Sequence, residues 1–217
     1  MLWYNIIMKI LVFDTETTGL PERNASIKDT EKWPYIIQLS FVCYDTSSNN
    51  IIKKYDNYIK IKNGIELTDE VKKITNIDET NIENGVNITE ALNEFNKYMN
   101  ISNMIVAHNV SFDKRIIMVE CIRNKIKQQF VKFNYNKQTR INEYCTMKNN
   151  TDMFENKKYP KLIELHKKLF DEDINNLHNS FVDILVTLRC YIKITYNRDI
   201  IDILEFKNLF NEYNIFW

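Results

Sequence analysis

The stretch of sequence that decides the fold is KILVFDTETTGL, residues 9–20. Its apolar run from Ile10 to Phe13 predicts a strand that is buried on both faces of a sheet. Residues two apart in a strand point the same way, so Asp14 and Glu16 should project together from its end. Paired carboxylates suit a hard divalent cation. Since an acidic loop that merely ends a strand would contain the same two acids, this stretch alone does not establish a metal site.

Length and composition predict one globular domain. The chain has 217 residues, of which 44% are hydrophobic and 12% aromatic, which is enough to bury a core and argues against disorder. The 29 basic residues are balanced by 29 acidic ones, so the net charge is zero. A nucleic-acid partner is therefore not indicated by bulk charge and would have to bind a local patch.

The cysteines and the hydropathy indicate an intracellular protein, cytoplasmic or nuclear. Four cysteines lie far apart with no C-x-x-C pair, so we expect reduced thiols and no zinc site. No apolar run approaches the ~20 residues of a membrane span. The first residues lack the pattern of a secretion signal, and Met8 opens the strand directly, so residues 1–7 are expected to be a short extension.

Strand and helix patterns alternate along the chain, which predicts one α/β domain with a mixed sheet. The first two strands after the opening stretch are expected to form an antiparallel hairpin. In chain order, the predicted elements are strands at 34–44 and 51–61, helices from Thr68 and Thr89, a strand at 104–107, a helix over 112–126, a short strand at 141–147, helices from Pro160 and after His178, and a last helix within 199–217.

Acidic residues recur at two later points, Asp113 and Asp183, each shortly after a histidine and near a helix start. Each has a structural alternative. Asp113 could be an acid favoured by the dipole of its helix, and Ser180 could cap the helix in a capping box with Asp183. Together with Asp14, however, these acids would converge over one edge of a sheet.

Three motifs in this order resemble those of the DEDDh 3′→5′ exonucleases, the family of bacterial polymerase proofreading subunits. They are FDTETTGL at residues 13–20, AHNVSFD at 107–113 and HNSFVD at 178–183. The chain departs from the family at Asn76, where glycine is common. The resemblance implies a ribonuclease H-like mixed sheet flanked by helices, with an exonuclease domain at residues 8–195 and a helical tail at 196–217.

The resemblance also implies a two-metal site. Asp14 would bridge two Mg²⁺ ions, Glu16 and Asp183 would complete the first ion's site, and Asp113 would support the second; Mn²⁺ should substitute. His178 would be the general base that takes the proton of the attacking water. Two such ions activate a water and stabilise the leaving 3′-oxygen, which is what phosphodiester hydrolysis requires.

Further residues are expected to contact the substrate. By resemblance, Thr17 and Leu20 would hold the terminal 3′-hydroxyl and the last base, with Thr15, His108 and Asn109 nearby; core packing is the alternative for Leu20. We expect His108 and Asn109 to orient the loop before Asp113, and His166 to be a surface residue. The candidate phosphate contacts are Lys114, Arg115, Lys157, Lys158 and Lys161.

The sequence thus predicts a metal-dependent 3′→5′ exonuclease that acts on single-stranded DNA with a free 3′-hydroxyl and releases nucleoside monophosphates. A DNA polymerase is a candidate partner, with proofreading or DNA repair as the context, and no membrane is involved. One alternative is a 3′→5′ exoribonuclease on short or structured RNA. Another is a non-catalytic domain that binds nucleic acid or a polymerase, although such a domain needs neither the four acids nor His178.

Overall fold

The structure is a computed structural model that describes residues 8–62, 64–134 and 137–216. The predicted extension at residues 1–7 lies outside this part. Within the described residues, no helix is long and apolar enough to cross a membrane. The strands are β1 Lys9–Thr17, β2 Ile36–Asp45, β3 Asn50–Lys60, β4 Val86–Asn87, β5 Met104–Ala107, β6 Val131–Asn134, β7 Lys137–Arg140 and β8 Asn142–Cys145. The α-helices are α1 Asp69–Thr75, α2 Glu79–Glu83, α3 Ile88–Ile101, α4 Val110–Arg123, α5 Leu162–Phe170, α6 Ser180–Tyr196 and α7 Leu204–Glu212.

Six strands form one sheet in the order β4-β3-β2-β1-β5-β8. The sheet is mixed, as the sequence predicts. The pairs β1–β2 and β2–β3 are antiparallel, which confirms the predicted hairpin. The strand β5 runs parallel to both β1 and β8. The central position of β1 explains its apolar run, because its side chains are covered on both faces of the sheet.

Alternate residues of β1 pack into two different cores. Ile10 and Val12 face the helices α5, α6 and α7, and Leu11 and Phe13 face α3 and α4. The C-terminal segment belongs to the first of these cores, where it buries Phe206 and Phe210 among others. Helices thus cover both faces, and the carboxyl end of β1 opens between them.

Several local features differ from the predictions. The segment expected to be irregular after α4 contains the β6–β7 hairpin. The apolar spacing of the helix that starts after Thr68 predicts that Ile74 faces inward, but this residue is 49% exposed. The caps of α3 and α6 are Asn87 and Asn179, two residues before Thr89 and one residue before Ser180, which the sequence offered as caps. Each amide side chain accepts hydrogen bonds from the backbone in the first turn of its helix. Asn76, at a position where glycine is common, adopts a left-handed conformation with φ 57°, which asparagine tolerates.

The prediction that His166 is a surface residue is wrong, because its side chain is buried under α6. Its Nε2 accepts a hydrogen bond from Arg189 Nη1 at 2.8 Å. The Arg189 guanidinium is itself fully buried and bonds Asp199 through two nitrogens, at 2.9 and 2.6 Å, and Glu172 at 2.7 Å. This buried cation ties α6 to the segment that follows α5 and to the start of the C-terminal segment.

Candidate active site

The acids Asp14 and Glu16 lie near the carboxyl end of β1 and project from the same face of the sheet, as alternation along a strand requires. The ladder with β2 is irregular between Glu16 and Thr17, where the strand ends. Gly19 follows with φ 152°, a conformation that favours glycine. The chain therefore turns away immediately after presenting the two carboxylates.

Asp183 reaches the same place from the first turn of α6. The cap of this helix is Asn179, whose Oδ1 accepts the N–H groups of Phe181 and Val182 at 3.0 and 3.2 Å. Capping therefore does not explain Asp183. Within the described part of the chain, its buried Oδ1 has no hydrogen-bond partner. A buried oxygen of this kind is costly unless a ligand satisfies it.

Asp113 lies in the first turn of α4 and is 2% exposed. Its Oδ1 accepts two hydrogen bonds from Thr15, one from the backbone N–H at 3.1 Å and one from the hydroxyl at 2.8 Å. Thr15 lies between the two acids of β1 and points to the other face of the strand. Since its hydroxyl is engaged by Asp113, we assign it a positioning role for this acid, where the sequence led us to expect a substrate contact.

Burial raises the pKa values of all four acids, and neighbouring carboxylates raise those of Asp14, Glu16 and Asp183 further. Burial raises the pKa of Asp14 well above its usual value, and the charges of the other three acids raise it further. Burial, followed by the charges of Asp183 and Asp113, raises the pKa of Glu16 to about 8. Burial also raises the pKa of Asp113 and of Asp183 to about 7, an effect that hydrogen bonds from Thr15 and from the His178 backbone partly offset.

The donor set fits a divalent cation. Oxygens of Asp14, Glu16 and Asp183 lie within 4.8 Å of one another. Among the residues the structure describes, no lysine, arginine or histidine forms an ion pair with any of the four acids. Carboxylates crowded together without a basic partner repel, and the buried oxygen of Asp183 that lacks a hydrogen-bond partner fits a cation ligand. An oxygen-only set of this kind suits Mg²⁺ or Mn²⁺.

His178 lies just before the cap of α6, and its side chain is exposed. Its backbone occupies the left-handed region with φ 70°, which is uncommon for histidine. The described residues offer its ring no hydrogen bond within the usual distances, so the imidazole is free to take a proton from solvent or substrate.

His108 is held by two hydrogen bonds in the loop before α4. Its Nε2 lies 3.0 Å from the carbonyl oxygen of Pro160, which can only accept, so we assign the ring proton to Nε2. Nδ1 then accepts from the Thr146 hydroxyl at 2.9 Å. Burial lowers the pKa of His108 to about 4, in agreement with a neutral ring. Asn109 follows in a left-handed conformation and starts α4, so the pair orients the loop that leads to Asp113.

Thr17 and Leu20, which are predicted to contact substrate, lie at the end of β1 and just after it. Leu20 is 84% exposed, so core packing does not explain it. The Thr17 hydroxyl donates to the Gly19 carbonyl at 2.7 Å and shapes this turn. Of the candidate phosphate contacts, Lys114 pairs with Glu143 at 2.5 Å and Lys158 with Glu164 at 2.8 Å. Their role toward phosphate stays a prediction.

Sequence reasoning missed a polar cluster beside the acids, formed by Gln38 and Ser40 of β2 and Asp56 of β3. The first two side chains are buried, and both donate hydrogen bonds to Asp56 Oδ1. The spacing of Gln38 and Ser40 in the sequence could have revealed this cluster. Two polar residues at alternate positions interrupt an otherwise apolar strand, which indicates a polar stripe on one face of the sheet.

Comparison with protein families gives one match that covers most of the chain. The RNase T model, described as an exonuclease family, matches residues 11–191. No curated protein matches the sequence significantly.

Solved structures with the same fold include several nucleases. The nuclease domain of 3′hExo, a DEDDh family member bound to rAMP, has a TM-score of 0.65 at 13% identity, with 88% of this chain and 94% of that chain covered. Exonuclease I of E. coli, in complex with a dT13 oligonucleotide, has a TM-score of 0.65 at 17% identity, with 88% and 42% covered. Exonuclease X, in complex with 5′-overhanging duplex DNA, has a TM-score of 0.55 at 18% identity, with 91% and 98% covered. This chain therefore spans less than half the length of Exonuclease I.

Proposed function

Because this chain belongs to the exonuclease family, we propose that it is a metal-dependent 3′→5′ exonuclease that removes nucleoside monophosphates from single-stranded DNA. The observation that carries the proposal is the approach of Asp14, Glu16 and Asp183 to within 4.8 Å of one another, with a buried oxygen of Asp183 left without a partner. A binding domain has no need for such a costly arrangement. A hydrolase that neutralises phosphate charge through bound cations requires it.

In this proposal Asp14, Glu16 and Asp183 would hold one divalent cation, Mg²⁺ or Mn²⁺, and Asp113 would help to hold a second. When bound, the two cations would lower the pKa of the attacking water and offset the charge on the leaving oxygen. The protein's own contribution is to hold four carboxylates in place without basic partners. Thr15 fixes Asp113, and the loop made by His108 and Asn109 fixes the start of α4.

His178 acts as the general base. The water oxygen forms a bond to phosphorus, its proton passes to the imidazole, and the bond from phosphorus to the 3′-oxygen of the preceding nucleotide breaks. That oxygen takes up a proton and becomes the new terminal hydroxyl. The exposed ring can exchange the proton with solvent before the next turnover.

The preference for DNA is supported by two of the structural neighbours, which are complexes with DNA, and the preference for a single strand by one of them, the complex of Exonuclease I with a dT13 oligonucleotide. A third neighbour is bound to rAMP, and this favours 3′→5′ exoribonuclease activity as the second candidate. Service as a proofreading partner of a polymerase remains a prediction from the resemblance.

The deciding experiment uses 5′-labelled single strands of DNA and RNA with the same sequence, incubated with Mg²⁺ and sampled over time on a denaturing gel. A ladder that shortens from the 3′ end is expected, and EDTA should stop it. Asp14→Ala should abolish it, whereas Asp69→Ala, at an exposed acid in the first turn of α1, should not. Turnover by Asp14→Ala comparable to the wild type would refute the proposal, and faster loss of the RNA strand would favour the second candidate.

A further inference from the structure

Beside the acids lies a buried polar triad, which we define as Gln38 and Ser40 of β2 together with Asp56 of β3. In the antiparallel register of β1 with β2, Glu16 pairs with Gln38, and Asp14 pairs with Ser40. Side chains of directly opposed residues lie on the same face of a sheet. The polar triad therefore lies on the same face of the sheet as the acids, on the neighbouring strands β2 and β3 and against the start of α6.

The hydrogen bonds of the polar triad have a defined direction. Asp56 Oδ1 accepts from Ser40 Oγ at 2.7 Å and from Gln38 Nε2 at 2.8 Å. Since Ser40 gives its proton to Asp56, it can only accept in its 2.5 Å contact with Ser180 Oγ. The backbone N–H of Ser180 donates in addition to Gln38 Oε1 at 3.4 Å. The first residue of α6 is thus held by two contacts directed at β2.

The residues that make this attachment lie close to two of the acids in sequence or in strand register. Ser180 lies three residues before Asp183, on the same face of α6. Ser40 lies opposite Asp14 in the neighbouring strand. The contact between the two serines therefore limits how far the helix that carries Asp183 can move from the strand that carries Asp14.

We propose that Gln38, Ser40 and Asp56 are positioning residues that hold the first turn of α6 against β2, so that Asp183 can share a cation with Asp14 and Glu16. The inference rests on the proposed function for the cation itself. Partners of this kind behind metal ligands typically contribute 10–100-fold to metal affinity or activity. Here they would act through the distance between two ligands and not by touching either one.

The test is calorimetric titration of the full-length protein with Mn²⁺, alongside measurement of Tm. Ser40→Ala is expected to weaken Mn²⁺ binding about 10-fold. The matched control is Ser102→Ala, which also removes a buried serine hydroxyl, one that donates to the Tyr98 carbonyl at the end of α3. This control should lower Tm to a similar degree and leave Mn²⁺ affinity within twofold of the wild type.

Two further variants separate positioning from general destabilisation. Asp56→Asn keeps an oxygen that can accept from Ser40, so it should bind Mn²⁺ more tightly than Asp56→Ala. The double variant Ser40→Ala/Ser180→Ala should bind no more weakly than either single variant, because each removes the same contact. If Ser40→Ala does not fold, Ser180→Ala and Asp56→Ala carry the same comparison from the two ends of the chain of hydrogen bonds.

The Mg²⁺ dependence of turnover provides a second readout. Ser40→Ala should need more Mg²⁺ for half-maximal rate and should recover kcat at saturating Mg²⁺. Mn²⁺ affinity within twofold of the wild type in Ser40→Ala and Asp56→Ala would overturn the inference while leaving the proposed function intact. If the wild type binds no Mn²⁺, both the inference and the proposed function are overturned. In that case Asp14→Asn would show no loss of Mn²⁺ affinity relative to the wild type.

Discussion

Thr15 donates both its backbone N–H and its hydroxyl to a single carboxylate oxygen of Asp113, at 3.1 and 2.8 Å. These two residues are 98 positions apart in sequence. Because Thr15 separates Asp14 from Glu16, one tripeptide of β1 presents two acids on one face of the strand and fixes a third from the other. The geometry of three carboxylates therefore depends on the placement of one short segment.

Replacing this threonine tests that dependence. Thr15→Val keeps the shape of the side chain and the backbone N–H but removes the hydroxyl, so Asp113 loses the shorter of its two hydrogen bonds. We expect the loss to raise the Mg²⁺ concentration for half-maximal turnover by about 10-fold, in line with partners behind metal ligands. Thr15→Ser, which keeps the hydroxyl, is the control. Equal Mg²⁺ dependence of both variants and the wild type would contradict the positioning role.

The proposed role of His178 as general base makes a separate prediction. His178→Ala should lose about 10²–10⁴-fold in kcat, which is the usual contribution of a general base. Its Tm should stay close to that of the wild type, because the ring is exposed.

The companion variant Asp183→Asn distinguishes a metal ligand from a helix-capping acid. If Asp183 served the helix alone, the substitution would cost about 1 kcal/mol of stability and preserve activity. We expect the reverse, a loss of turnover with an unchanged or raised Tm in the absence of metal. Measuring kcat and Tm on both variants decides between the two roles.

Much of this arrangement could be predicted because it depends on local patterns. The apolar run before Asp14 predicts a central strand, and the distances of Asp113 and Asp183 from helix starts place them at the edge of the same sheet. The burial of His166 could not be predicted in this way. Charged residues lie close to His166 in its helix, and they favour an exposed position. Its partner Arg189 comes 23 residues later in the sequence, too far to be recognised from a local pattern. The cap of α6 was missed for a simpler reason, since Asn179 and Ser180 are adjacent and both are good caps.

The crowded acids predict an unusual pH dependence of stability in metal-free protein. Burial and the neighbouring carboxylates raise the pKa of Glu16 to about 8 and that of Asp183 to about 7, and burial alone raises that of Asp113 to about 7. A carboxyl whose pKa is raised on folding stabilises the protein when protonated, and this contribution is lost as the pH rises through the folded-state value. Stability from these groups should therefore fall between about pH 4 and about pH 8.

The comparison of wild type with Asp14→Asn isolates this effect from other titrating groups. In EDTA the variant should be as stable as the wild type near pH 5 and more stable near pH 8.5, because it removes one of the repelling charges. One pKa unit corresponds to about 1.4 kcal/mol, or roughly 3–5 °C in Tm for a chain of this length. Adding Mn²⁺ at the higher pH should reverse the order. A Tm difference that does not change with pH would contradict the mutual repulsion.

The buried cation Arg189 predicts a large loss of stability when it is replaced. Arg189→Met would leave Asp199 and Glu172 without their shared partner, and removing one member of a buried ion pair costs about 3–5 kcal/mol. We expect the lower end of this range, because Glu172 and Asp199 are partly exposed, 46% and 22% respectively. The control is Lys157→Ala, whose pair with Asp152 is exposed and should contribute less than about 1 kcal/mol. Urea denaturation with both variants measures the difference.

The polarity of attack gives the last prediction, because an exonuclease must sense a chain end. Glu16 lies beside Asp14, the β1 ladder ends at Thr17, and the side chain of Leu20 stands in solvent at the rim. A terminal 3′-hydroxyl could donate to the Glu16 carboxylate while its base rests against Leu20. A 3′-phosphate there would place a dianion against acids that already repel one another, and like charges in contact cost on the order of a few kcal/mol. We therefore expect a 3′-phosphorylated strand to resist digestion, whereas a 5′-phosphate changes little.

The measurement is a time course on three oligomers of one sequence, bearing a 3′-phosphate, a 5′-phosphate or neither, with a circular strand as control. Equal decay of the 3′-blocked strand would exclude recognition of the hydroxyl, and internal cleavage of the circle would identify an endonuclease.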